Sequence, residues 1–194
     1  FGSFVARDSD GSRDNQALSY RDLFFKGTRS LNADHDLTFK ASWYREDSQV
    51  SYSGLRQAEY EADPRQNPFQ NDRFYLDHQA ASLTHGWQAA DALRITTVVY
   101  GAALERDWWR QSSNSGQRPA DSSDPACGGM ANVNTTCGNE GRLRQYYSYG
   151  VDSRAAFDWD AGDWSGRLSG GLRAHHENQE RFQWNGDTPK ARTP

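Results

Sequence analysis

Apolar and polar residues alternate strictly between positions 145 and 159. One set reads Gln145, Tyr147, Tyr149, Val151, Ser153, Ala155, Phe157, Trp159; the other, from 144 to 158, reads Arg144, Tyr146, Ser148, Gly150, Asp152, Arg154, Ala156, Asp158. Side chains of an extended chain point alternately to its two sides, so the stretch predicts a strand with one apolar and one polar face. Aromatic residues close both ends of the apolar set, and small or aliphatic residues fill its middle. Trp164, Gly166, Leu168, Gly170, Leu172 and Ala174 repeat the pattern against Ser165, Arg167, Ser169, Gly171, Arg173 and His175. Only Asp160-Ala161-Gly162-Asp163 separates the two runs, which predicts a tight hairpin. Leu37, Phe39, Ala41 and Trp43 alternate likewise with Thr38, Lys40, Ser42 and Tyr44, after a turn at Asn32-Ala33-Asp34-His35-Asp36. A third hairpin joins a strand near 73–87 to one near 93–107 through Gln88-Ala89-Ala90-Asp91-Ala92. The 73–87 strand alternates poorly, and the pattern assigns it no faces.

The connections between hairpins are of another size. Residues 49–72 and 112–143 are long, polar and rich in Asn, Asp, Gly, Pro and Ser. Such loops are uncommon in compact soluble domains, whereas very short turns alternating with long loops is the layout of an outer-membrane β-barrel. The expected strands number about seven, near 1–8, 18–31, 37–48, 73–87, 93–107, 144–159 and 164–178, with 179–194 beginning another outer loop. That number does not close a bacterial barrel, which takes an even count from about eight upward. The expectation is therefore an all-β, antiparallel transmembrane barrel segment: one curved sheet with two unpaired edges, a piece of a longer protein. A soluble carbohydrate-binding β-sandwich is the alternative, and it predicts two sheets with apolar inner faces and loops of similar size at each end.

Composition sharpens this. Hydrophobic residues make up 35% of the chain, yet aromatics reach 13%, with seven Trp and nine Tyr, and mean hydropathy is −0.99. Disorder would explain the polarity but not the aromatics; a barrel with a wet interior and aromatic girdles explains both. No stretch approaches the roughly 18 apolar residues of a membrane helix, which leaves strands of about 9–11 residues as the way to cross. The expected location is the outer membrane of a Gram-negative cell, with lipid against the apolar face. A net charge of −4 disfavours a nucleic-acid partner. No signal peptide is visible.

Candidate chemistry is sparse. Cys127 and Cys137 lie close together in a loop-like stretch and suit a disulfide in an oxidising compartment, with free thiols as the alternative. No His or third Cys accompanies them at metal-ligand spacing. His175 and His176 are adjacent, but a strand sends them to opposite faces, so they do not share a metal. Asp158, Asp160 and Asp163 read as turn residues rather than a calcium loop. No nucleophile elbow or phosphate-binding glycine loop is present; neither an enzyme nor a cofactor is expected. The informative cluster is Arg106-Asp107-Trp108-Trp109-Arg110-Gln111 at the outer end of a strand. If Leu93, Ile95 and Val99 face lipid, Arg94, Arg106 and Arg110 share the lumen side. Two guanidinium groups at a mouth suit a carboxylate-rich chelate; the competing reading pairs them with Glu105 and Asp107.

Four segments also resemble a known family. They are Ser19-Tyr20-Arg21-Asp22; Trp43-Tyr44-Arg45-Glu46-Asp47-Ser48-Gln49-Val50-Ser51-Tyr52-Ser53-Gly54-Leu55; the run from Glu59 to Phe74; and residues 106–111. Together they are similar to TonB-dependent outer-membrane receptors of the ferric dicitrate type. The resemblance covers roughly residues 18–111. It implies a plugged barrel of about 22 strands, driven by an inner-membrane energy-coupling complex acting through the plug. It also implies arginines around the mouth that contact an anionic ferric chelate, citrate or a carboxylate siderophore; a receptor of the same family for another siderophore, a cobalamin or a sugar is the alternative. Residue by residue it carries over Arg45, Arg106, Arg110 and Gln111, although Arg45 shares the parity of Leu37, Phe39 and Trp43. The plug and its coupling segment are expected outside these residues.

Overall fold

The computed structural model describes residues 1–50, 54–67, 69, 72–110 and 140–185. Seven strands form one sheet in sequence order: β1 (Gly2–Ser9), β2 (Leu18–Ser30), β3 (His35–Ser48), β4 (Arg73–Ala90), β5 (Leu93–Arg110), β6 (Glu140–Ala161) and β7 (Trp164–Asn185). Every neighbouring pair is antiparallel. The sheet is open, with β1 and β7 as its edges. This is the all-β segment expected from the alternation, and a single sheet rather than the two of a sandwich.

Five strands, β3 to β7, run longer than expected, whereas β1 is shifted by one residue and β2 stops one residue short, at Ser30. β6 and β7 extend to Ala161 and Asn185, so 179–185 is strand where a loop was expected, and the hairpin closes on Gly162 and Asp163 alone. Gly162 supplies the left-handed backbone this turn needs, at φ +65°. β3 starts at His35, inside the expected turn, and β4 reaches Ala90 through a register shift between Gln88 and Ala90. The long connection after β3 also holds a helix, α1 (Gln57–Ala62). The Arg56 backbone N–H donates to the Glu59 carboxylate at 2.7 Å, tying the helix start to its first turn.

Register sorts the side chains into two faces. Directly opposite residues share a face, so Gly27, Phe39, Leu83, Val99, Val151 and Ala174 form one continuous row across six strands. On the same face lie Phe4, Leu23, Phe25, Trp43, Tyr147, Tyr149, Phe157, Leu168 and Leu172. Their exposure is large: 55% for Val99, 65% for Leu168 and 85% for Leu172. Among the described residues only Phe69 and Trp109 are buried hydrophobics. The described residues thus form no core between layers; the apolar side chains stand exposed on one face of a one-layer wall. On β6 the band runs from Tyr147 to Trp159, about 40 Å of strand and about 28 Å of height at a 45° tilt, close to a hydrocarbon core. Trp159, Trp164 and Trp87 stand at its turn end and Trp43, Tyr147 and Tyr149 at its loop end.

The poor alternation of β4 now has a cause. Towards the turn end its apolar residues Leu83 and Trp87 share the apolar face, but towards the loop end Phe74 and Leu76 occupy the other face while Asp77 and Gln79 take their place. Polarity inverts partway along the strand, where the wall rises above the band. Three rings lie flat over the glycine directly opposite: Trp109 over Gly141, Tyr100 over Gly150 and Trp159 over Gly166. A Cβ at Gly150 would come within 2.6 Å of both the Tyr100 hydroxyl and the Ala174 carbonyl oxygen.

Candidate ligand-binding face at the loop end

Arg106 and Arg110 sit on the polar face of β5, at the end of the sheet that carries the long connections. Extended backbone puts them there, and also puts Glu105 and Asp107 on the opposite face, so the neighbouring carboxylates do not neutralise them. The pairing of β5, β6 and β7 then sets Arg106 directly opposite Arg144, and Arg144 directly opposite Arg181. Three arginines from three strands stand in one row, spanning about 10 Å at the usual strand spacing. One step nearer the loops the row reads Phe74, Trp108, Arg142 and Gln183, and beyond it Arg110 faces Glu140.

Like charges directly opposite destabilise a sheet, so the partners of this row matter. Arg144 Nη1 donates to the carbonyl oxygens of Leu143 (2.9 Å) and Phe182 (3.1 Å). Arg181 donates to the Gln179 side-chain carbonyl and lies 5.6 Å from the Tyr146 ring centroid. Neither contact cancels a charge. Glu140 accepts from Arg142 and is 3.8 Å from Arg110, whose guanidinium carbon stands 4.5 Å from the Trp108 ring. The Nε of Arg106 is buried without a hydrogen-bond partner among the described residues. Glu46 lies in the same row beyond Leu76, where the hydroxyls of Tyr44 and Ser48 both donate to it at 2.6 Å. The patch therefore holds Arg106, Arg110, Arg142, Arg144 and Arg181 against Glu140 and Glu46, an excess of positive charge interleaved with aromatic rings. Guanidinium groups so arranged can receive an anion with several oxygen atoms.

The fold around this patch has a counterpart among solved structures. The sheet is similar to part of a ferric citrate transporter. That structure is the unliganded form of FecA, with a TM-score of 0.76 over 96% of this chain at 17% sequence identity. The likeness is one of fold. The chain spans 25% of the length of FecA. No protein-family model and no curated protein sequence matches the chain.

The residues expected at the mouth divide accordingly. Arg106 and Arg110 come together on the polar face. Arg45 lies on the other one: the register of β3 runs unbroken from His35 to Ser48 against β4, and Arg45 stands in line with Phe39 and Trp43. Gln111, Cys127 and Cys137 fall outside the described residues. Arg142, Arg144 and Arg181 were not singled out by the sequence. Arg144 belongs to the polar set of its strand, but the 29-residue separation between Arg110 and Glu140, still paired across β5 and β6, hides its position beside Arg106. His175 and His176 do diverge: the Tyr100 hydroxyl is 2.8 Å from His175 Nδ1 on the polar face, and His176 packs on Tyr149 at 5.2 Å on the apolar face. Among the described residues no three metal-ligating side chains converge.

Proposed function

We propose that this chain is part of the barrel wall of a TonB-dependent outer-membrane receptor, and that the receptor takes up a ferric carboxylate chelate such as ferric citrate. The observation that carries this reading is the arginine row of the polar face, held at the loop end of a wall whose opposite face is apolar. In this reading the apolar face meets lipid and the polar face lines the lumen. The arginines then ring the mouth, where an anionic chelate arrives from outside. Carboxylate oxygens of the ligand replace the missing counter-charges of Arg106, Arg144 and Arg181, so binding relieves repulsion as well as forming bidentate hydrogen bonds. The ferric ion is cargo and is held by its own chelator. Release into the periplasm falls to a plug and an energy-coupling complex, both outside these residues. The fold likeness to a ferric citrate transporter supports this choice of cargo.

A second reading keeps the receptor and changes the cargo. Trp108, Phe74 and Tyr146 stand among the arginines, and rings at that position favour a siderophore that adds flat aryl groups to its negative charge. Growth separates the two. A strain relying on the full-length receptor should grow with ferric citrate as its sole iron source and lose that growth with Arg106→Ala plus Arg144→Ala. Growth on an aryl siderophore but not on ferric citrate would replace the first reading by the second.

A further inference from the structure

Lysine is scarce in this chain, three residues against nineteen arginines, and two of the three meet. The register sets Lys26 of β2 directly opposite Lys40 of β3 on the polar face. Like charges directly opposite destabilise a sheet, and the other cations of this face below the mouth are matched by carboxylates. Asp36 holds Arg94 at 2.7 Å, Asp152 holds Arg154 at 2.8 Å and Asp158 holds Arg167 at 2.6 Å, while Arg173 stands directly opposite Asp152. Neither lysine has a carboxylate within ion-pair distance among the described residues. Their polar neighbours on the face are hydroxyls: Ser82 directly opposite Lys40, Ser42, and Thr28 and Thr38, whose Oγ1 atoms are 3.0 Å apart. The nearest acids on this face of β1 to β4, Asp22 and Asp36, are four positions along their strands. That is about 13 Å of strand, beyond a Debye length at physiological salt.

Height separates this pair from the arginine row. Lys40 lies between Phe39 and Ala41, whose side chains stand in the apolar band of the opposite face, so the pair is level with that band. Glu46, in the row of Arg106, is six positions nearer the loops on β3. The offset is about 20 Å of strand and about 14 Å of height at a 45° tilt. An ammonium is a compact, strongly hydrated charge on a flexible stem, whereas a guanidinium fork holds a carboxylate in a fixed geometry. Lysines thus suit an anion that has to be taken and let go again, as a conducting path requires. We propose that Lys26 and Lys40 form a second, weaker anion station below the mouth, which takes the carboxylates of the chelate on its way through the lumen. The inference rests on the cargo reading above, and it adds to the wall a site that acts in passage rather than in capture.

The test uses the full-length receptor, with binding of iron-labelled ferric citrate measured on de-energised cells and uptake on energised ones. Lys26→Gln plus Lys40→Gln should keep the binding affinity within about twofold and lower the maximal uptake rate about tenfold, the loss of a charge-assisted contact. Lys26→Arg plus Lys40→Arg keeps the charge and should recover part of that rate. In the purified receptor, citrate should slow the acetylation of Lys26 and Lys40, read by mass spectrometry against chloride at equal ionic strength. Heat-modified gel mobility checks that each variant is a folded barrel. A wild-type uptake rate in the folded Lys26→Gln plus Lys40→Gln variant overturns the proposal. So does an affinity that falls as far as the uptake, which would put the lysines in the mouth site. Lysines that resist acetylation without citrate also overturn it, because another part of the protein would then cover them. If the wild type binds no ferric citrate yet citrate protects both lysines, the cargo reading falls and the anion station stands.

Discussion

At the scale of single residues, alternation decides which charges can meet. Arg106 is separated from Glu105 and Asp107 by one backbone bond each, yet they stand on opposite sides of the wall, and its close neighbour is another arginine, Arg144, 38 positions away and directly opposite. Replacing either arginine by alanine should weaken ferric citrate binding by about 10- to 150-fold, the range for a charge-assisted hydrogen bond of about 1.5–3 kcal/mol. Asp107→Asn should leave affinity unchanged; isothermal titration of the full-length receptor reads both. Gly150 illustrates the steric side. With Tyr100 lying over it and the Ala174 carbonyl behind it, Gly150→Val has nowhere to put its side chain. The variant should lose about 1–3 kcal/mol in urea unfolding from vesicles, the usual cost of overpacking. A change below about 0.5 kcal/mol would mean that the Tyr100 ring swings away freely.

At the scale of the strand, the inversion of polarity along β4 marks where the wall leaves the apolar band. Leu83 stands inside the band, and Asp77 shares its face above it. Leu83→Arg should therefore cost about 2–4 kcal/mol of folding into a bilayer, while Asp77→Arg costs about 0–1. Comparable costs at the two positions would move the band. The same inversion explains what the sequence made legible. β6 and the turn half of β7 alternate in one phase, so their faces could be read directly. β4 changes phase midway, and no single period describes it. Strand existence was readable from alternation and turn residues, but strand ends were not: residues 179–185 and 140–143 look like loop by composition and are strand because a neighbour supplies their hydrogen-bond partners. The arginine row is legible only in part for the same reason. Arg106 and Arg110 share a strand and a parity, while Arg142, Arg144 and Arg181 join them through register.

At the scale of the whole sheet, the described residues form a one-layer wall with two open edges and no internal core, since the apolar side chains of one face stand exposed. Its stability has to come from ladder hydrogen bonds and from whatever covers the apolar face. Unpaired strand edges at β1 and β7 are templates for association. Expressed alone in water, these residues should elute from size exclusion as aggregates; a monodisperse monomer without detergent would speak against a lipid-facing band. Within a closed barrel the two faces acquire distinct duties. In the proposed receptor the outer one carries the girdles and the apolar band, and the inner one carries the arginine patch at the mouth. The proposed role of this patch is to receive an anionic ferric chelate. Its most direct measurement is the quenching of Trp108 fluorescence in full-length receptor retaining that tryptophan as the only one near the mouth, titrated with ferric citrate. Saturable quenching that weakens at least about tenfold in Arg106→Ala plus Arg144→Ala is expected. Equal affinity in the wild type and the double variant would remove the arginine row from the chelate site.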